Sequence, residues 1–260
     1  MNYWTQDQTE VRYHMLRPAE AVKRRKAMPV AWVPLGTLEW HGVHNPLGSD
    51  TLQAEGIAIV AARKGGGLVM PPVYFGDVRV QGEIIETLPE HHNDQIAGAM
   101  ELPLANFGAD RFPFTKEEQI AHYHHHLLQI LYEVQSLGFK VCVFTAGHYP
   151  LIRPARAAAE AFNARQNPMK AWAFVDYEQL ETRYENAGDH AAYWETSHML
   201  CLYPQRVDVS LLPEKGKPLL GIVPNKGHLP QDADAAFGYH IIEEVADIAI
   251  ARAQALLNEE

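Results

Sequence analysis

The sequence predicts an α/β fold with a mostly parallel central sheet, on three observations. Residues 29–35, PVAWVPL, form a short apolar run rich in strand formers. Residues 50–64 follow, with Leu52, Ile57, Ile59 and Val60 at helical spacing, and residues 68–76, LVMPPVYFG, then read as a second strand ending in a loop. A strand–helix–strand rhythm is a right-handed βαβ unit, and such units build parallel sheets. With 260 residues, 47% hydrophobic and 21% charged, the chain suits one large domain able to bury a core.

The elements follow in order. The first helix takes Ser49 or Asp50 as its N-cap and stops at Gly65, Gly66 and Gly67. Residues 76–114 carry Gly, Pro, Asn and aromatics without a sustained period, and read as an irregular insertion of the kind that forms lids or oligomer contacts. Thr115 and Glu118 make a capping box, opening a helix that runs to about Ser136 and stops at Gly138. Residues 140–150, KVCVFTAGHYP, are a strand and a loop, and residues 154–165 an alanine-rich helix with Pro154 in its first turn. AWAFVDY at 171–177 is another strand, and residues 237–257 an amphipathic helix.

The composition excludes several function classes. A formal net charge of −10 with no Lys/Arg-rich run argues against nucleic acid or an anionic membrane as a partner. The polar first fifteen residues have no apolar core, so no secretory signal is expected, and no run approaches the roughly 18–20 apolar residues of a membrane span. Cys142 and Cys201 sit among apolar residues and read as small buried hydrophobes, which points to a reduced, cytoplasmic compartment. Fourteen histidines are the one oddity, since imidazole is the commonest metal ligand and proton shuttle.

The richest segment is 36–50, GTLEWHGVHNPLGSD, directly after a strand and before a helix. Ligands of open parallel sheets bind at the carboxyl ends of strands, so a site is expected here. Glu39 and His41 are two apart and share a face of an extended chain, and Asp50 returns at the helix start. Carboxylate with imidazole suits Zn²⁺, Mn²⁺ or Fe²⁺; the plain alternative is a polar loop in which Asp50 caps a helix. His148, after the small-residue turn at Ala146 and Gly147, either joins this cluster or is a solvated loop histidine. Asp189 stands beside His190, where an aspartate can orient an imidazole. Glu195 and His198 lie at i, i+3 on one helix face that is either a ligand face or a solvated turn. His122, His124, His125 and His126 fan around a helix and read as surface or interface residues, and His91 and His92 fall in the insertion.

Residues 34–50 resemble the creatininase (creatinine amidohydrolase) family, meeting every fixed position of its Pro-x-Gly-x-x-Glu-x-His-Gly-x-His-x-Pro-x-x-x-Asp pattern. Gly147-His148-Tyr149 is similar to the family's Gly-His loop, and Asp189-His190-Ala191 with Glu195-Thr196-Ser197 to its His-Ala…Glu-Thr-Ser segment. The resemblance implies a single three-layer αβα domain holding two divalent metal ions (Zn, Mn or Fe). By position, Glu39 and His148 hold one ion, His41 the other, Asp50 bridges them, and His190 transfers a proton. It also implies a homo-oligomer, often a hexamer built as a trimer of dimers. Creatininase itself has a ligating Glu where this chain has Pro150, and Glu195 is the replacement candidate. Tyr149 and Trp194 are either pocket-lining or packing aromatics, and His44 is assigned with them to substrate binding. The function expected is an amidohydrolase that opens a non-peptide C–N bond of a small-molecule substrate, a cyclic amide or a formamide, with a metal-activated hydroxide. Two readings stay beside it: a mononuclear metal hydrolase in cofactor or peptide maturation, and a catalytically silent member of the family.

Overall fold

Four parallel strands form the centre of the molecule in the order β2-β1-β3-β4. The structure, a computed structural model, describes residues 9–76, 93–103, 105, 113–226 and 228–259. The chain lays down helix α1 (Pro18–Ala27), strand β1 (Val30–Leu35), helix α2 (Ser49–Gly65) and strand β2 (Leu68–Val69). Helix α3 (Asn93–Ala99), helix α4 (Lys116–Ser136), strand β3 (Val141–Ala146), helix α5 (Ile152–Asn163) and strand β4 (Lys170–Val175) follow. The chain then forms helices α6 (Asp176–Leu180), α7 (Tyr193–Leu202) and α8 (Ala235–Asn258). Helices α2, α7 and α8 pack on one another, α4 packs on α5, and helices cover both faces of the sheet. This is the α/β architecture with a parallel sheet that the strand–helix rhythm predicts, in the three layers that the family resemblance implies.

β1 and β3 are buried at every position, as strands covered on both faces must be. Val30 to Leu35 align in register with Val141 to Ala146, which in turn align with Lys170 to Val175. The aligned carboxyl ends bring three loops to one edge: residues 36–48, the Gly147-His148 turn, and the start of α6. Because β1 has β2 on one side and β3 on the other, the gap between β1 and β3 is where connections diverge to opposite faces. Open α/β sheets bind ligands at such a switch point.

Several elements differ from expectation. The second strand is only Leu68–Val69, with an isolated bridge from Leu35 to Val73, and does not run through residues 68–76. Pro71 and Pro72 have no amide to give the ladder, and neither does the facing Pro34, whose carbonyl accepts from the Val73 amide. Helix α2 has no side-chain cap: Gly48 precedes it and Ser49 Oγ donates to the Pro46 carbonyl. Asp50 is already helical and its carboxylate is used elsewhere. Glycine does stop the helix, with Gly66 at φ 89° and Gly67 at φ 92°.

The capping box on α4 forms as expected, Thr115 accepting from the Glu118 amide and Glu118 from the Thr115 amide. His122, His125 and His126 on that helix are exposed and His124 half-buried, in keeping with a surface role. Much of the 76–114 insertion, including His91 and His92, lies outside the described residues. Its described part includes α3, where Ile96 and Ala97 pack against Trp40 of the β1 loop. Among the described residues no helix is long and apolar enough to cross a membrane.

Candidate metal centre

Two glycines bring the strand ends onto the first turn of α2. A Cβ at Gly36 would lie 2.5 Å from the Thr51 amide nitrogen, and one at Gly147 would lie 1.9 Å from the Asp50 carbonyl oxygen. Only a residue without a side chain allows this approach. Asp50 is thereby held between the β1 loop and the β3 turn, and its carboxylate faces both. Asp50 Oδ1 lies 3.0 Å from His41 Nε2, and Asp50 Oδ2 lies 3.2 Å from His148 Nδ1. Glu39 Oε2 is 3.1 Å from His148 Nδ1 on the other side. The helix-cap reading of Asp50 is therefore corrected.

Glu195 completes the cluster from α7. Its Oε2 lies 3.3 Å from His41 Nε2, so the solvated-turn reading of this helix fails: Glu195, Thr196, Ser197 and His198 are all buried. Among the described residues, ligand-type atoms converge in three groups, Glu39–Asp50–His148, His41–Asp50–Glu195 and Glu39–His41–His190. The first two share Asp50. His148 is only 5% exposed, which removes the solvated-loop alternative.

The donor set fits divalent cations. Three carboxylates and three imidazoles face one another with almost no solvent, a mix suited to zinc, manganese or iron. Among the described residues both Glu39 oxygens and Asp50 Oδ2 are buried without a well-formed hydrogen bond, although His148 Nδ1 lies 3.1 Å from Glu39 Oε2 and 3.2 Å from Asp50 Oδ2. Buried carboxylate oxygens are costly in that state, and a cation satisfies them directly. His41 Nδ1 donates to the Glu39 carbonyl oxygen, which fixes the tautomer and leaves Nε2 as the ligand atom.

Electrostatics agree. Burial alone depresses the His41 pKa, but the charges of Asp50 and Glu195 outweigh it and hold the imidazole well above its ordinary value. Burial pushes the Asp50 carboxyl up, while His41 and His148 pull it further the other way, to well below the carboxylate range.

His190 lies at the edge of the cluster. Its Nε2 donates to the Trp40 carbonyl oxygen at 3.1 Å, which turns Nδ1 toward Glu39 Oε2, 3.9 Å away. A cavity of about 330 Å³, lined by Gly188, Asp189, His190, Val223, Pro224 and Asn225, reaches this imidazole. Tyr149, 53% exposed, faces a separate groove of about 1020 Å³ between α4 and α5, together with Pro150.

Three expected site residues do other work. Asp189 does not orient His190; its carboxylate accepts from the amides of Ala192, Trp194 and Glu195 and so caps α7. Trp194 is 3% exposed and packs edge-on against Tyr177, Tyr184 and Phe237, which is the role of a packing aromatic. His44 is 2% exposed and its Nε2 bonds the Thr196 hydroxyl, tying the β1 loop to α7. Burial brings its pKa down to about 4, so it is neutral near pH 7. Sequence reasoning also passed over Tyr177, whose hydroxyl donates to Glu195 Oε1, and Gln53, whose amide donates to Asp176 Oδ2. Neither belongs to a motif; Gln53 lies one helical turn after Asp50, the one signal that marks it.

The chain is similar to known proteins in family and in fold. A family model described as Creatininase, creatinine amidohydrolase, matches residues 14–82 and 77–252. The crystal structure of creatinine amidohydrolase (creatininase) is similar in fold, with a TM-score of 0.64 at 20% identity over 95% of this chain and 98% of that one. A mutant creatininase of zinc–zinc type gives a TM-score of 0.63 at 20% identity over 95% and 98% of the two chains. A mutant creatininase complexed with creatine gives 0.64 at 19% identity over 96% and 100%. No curated protein sequence matches the chain.

Proposed function

The chain belongs to the creatininase (creatinine amidohydrolase) family, and from that premise we propose that it is a dinuclear metal-dependent amidohydrolase opening a non-peptide C–N bond in a cyclic amide or a formamide. The observation that carries this reading is Asp50, shared between Glu39–Asp50–His148 and His41–Asp50–Glu195. Glu39 and His148 would hold one ion, His41 and Glu195 the other, with Asp50 bridging. Zinc, manganese and iron all suit these donors. Two divalent ions there would supply a water of lowered pKa and polarise the scissile carbonyl.

The chain's own residues handle position and protons. The His190 Nε2–H bond to Trp40 fixes the ring, so Nδ1 is the nitrogen presented to a bound substrate. Carrying a proton, Nδ1 protonates the leaving nitrogen as the C–N bond breaks. Burial of Glu39, His41, Asp50 and Glu195 keeps bulk water from screening these charges. Tyr149 beside His148 is the remaining candidate for substrate contact. The replacement of the familiar ligating Glu by Pro150 favours Glu195 as the third ligand of the second ion. Assembly into a homo-oligomer and residence in the cytoplasm belong to the same proposal, with the family as their support.

The test is metal content per chain by elemental mass spectrometry, beside Asp50→Ala. Two ions in the wild type, largely lost in the variant, are expected, followed by turnover in a screen of cyclic amides and formamides. One ion per chain would favour a mononuclear enzyme. No bound metal after reconstitution with zinc, manganese and iron would sink the hydrolase reading and leave a silent family member.

A further inference from the structure

The carboxylate of Glu195 is held from two directions. The Tyr177 hydroxyl donates to Oε1 at 3.2 Å, and the Ala191 amide donates to Oε2 at 2.6 Å. Oε2 is the oxygen that lies 3.3 Å from His41 Nε2. A carboxylate oxygen has two lone pairs, so Oε2 can accept the amide and still ligate a cation. Oε1, by contrast, is engaged by its bond to the phenol.

Tyr177 is well placed to impose this orientation. It is the second residue of α6, immediately after β4 ends at Val175, so its backbone is fixed by the sheet. Its ring is 7% exposed and meets Trp194 edge-on at 6.1 Å between centroids. Gly188 packs so closely that a Cβ there would lie 2.5 Å from the ring. A ring held by these neighbours has little freedom to move its hydroxyl. The chain also turns sharply before α7, with Ala191 at φ 55°, a conformation rarely taken by a residue with a side chain. That turn aims the Ala191 amide at Oε2.

We propose that Tyr177 is a positioning residue for the second metal position: its hydroxyl engages Glu195 Oε1 so that Oε2 alone faces His41 and Asp50. This rests on the reading of Glu195 as a ligand, taking the place that Pro150 leaves without one. Partners that orient a ligating carboxylate characteristically change metal affinity 10–100-fold when removed. The Glu195 side chain is thereby tied to α6 as well as to the turn that precedes its own helix.

The experiment titrates metal-free protein with Zn²⁺ against a chromophoric chelator, comparing wild type, Tyr177→Phe and Glu195→Gln. Phenylalanine keeps the ring contacts, so the thermal midpoint of metal-free Tyr177→Phe, measured in parallel, should stay near wild type. The expected result is two binding steps in wild type, with one weakened about 10–100-fold in Tyr177→Phe and the other unchanged. Glu195→Gln should weaken the same step further. If Glu195→Gln binds both ions as wild type does, the ligand assignment itself fails. If Glu195→Gln loses one step while Tyr177→Phe keeps both at wild-type affinity, positioning by Tyr177 is overturned alone. Equal weakening of both steps in Tyr177→Phe would also overturn it, since the hydroxyl would then shape the whole cluster.

Discussion

Adding one methyl group at Gly147 should dismantle the metal centre without removing any ligand. In Gly147→Ala the new Cβ would lie 1.9 Å from the Asp50 carbonyl oxygen and 3.2 Å from Asp50 Cα. Ordinary carbon–oxygen contacts are about 3.3 Å, so the β3 turn and the start of α2 must part by more than about 1 Å. The obstacle is backbone on both sides, which has no alternative rotamer. Asp50 and His148, on opposite sides of this contact, belong to the same ligand group. Metal sites tolerate about 0.2 Å in ligand distance, several times less than this displacement. Overpacking of this kind costs about 1–3 kcal/mol of fold stability. The loss at the site is expected to be at least about 100-fold in metal affinity, or about 2.7 kcal/mol. The assay pairs metal titration with urea unfolding. Gly98→Ala is the control: its Cβ would meet nothing within 4 Å, so metal binding should not change. That helical substitution should stabilise by about 0.5–1 kcal/mol. Wild-type stability and two tightly bound ions in Gly147→Ala would refute the claim that this close approach sets the position of Asp50.

Two further predictions concern residues around the centre. Asp189→Ala removes the acceptor for the Ala192 amide and for the α7 amides of Trp194 and Glu195 and should cost about 1–2 kcal/mol in urea unfolding, whereas Asp189→Asn, which keeps an acceptor, should lose less. Burial, with the nearby Glu195 charge adding to it, pushes the Asp176 carboxyl up to about 8. Its folded pKa thus lies above the unfolded value of about 4, so the native state binds the extra proton and stability falls as pH rises between those values. The thermal midpoint of metal-free wild type should drop across pH 5–8, and Asp176→Asn should flatten that slope; an unchanged slope would remove Asp176 as its source.

How far the sequence reached depends on the range of the interaction concerned. Strand–helix alternation, the capping box at Thr115 and Glu118, and the glycine stop at Gly66 are set within a few residues, and all are present in the structure. The shortened β2 was harder, because it follows from Pro34 facing Pro71 and Pro72 across strands that only the sheet brings together. Burial of Glu195 and the packing of Trp194 depend on α7 lying against α8, far along the chain.

By itself, then, the sequence determined the α/β class, the chain order of the candidate loops and, with the family resemblance, the candidate donors Glu39, His41, Asp50, His148, His190 and Glu195. Those follow from local periodicity and from residue type. Only the tertiary structure decided which of these side chains meet. Asp50 turns from helix cap to the carboxylate common to two candidate ligand groups because Gly36 and Gly147 admit the strand ends to α2, and Asp189 turns from orienting His190 to capping because the amides at the start of α7 are nearer. Spacing along one element fixes which residues share a face; convergence between elements is fixed by strand order and by how closely backbones can approach.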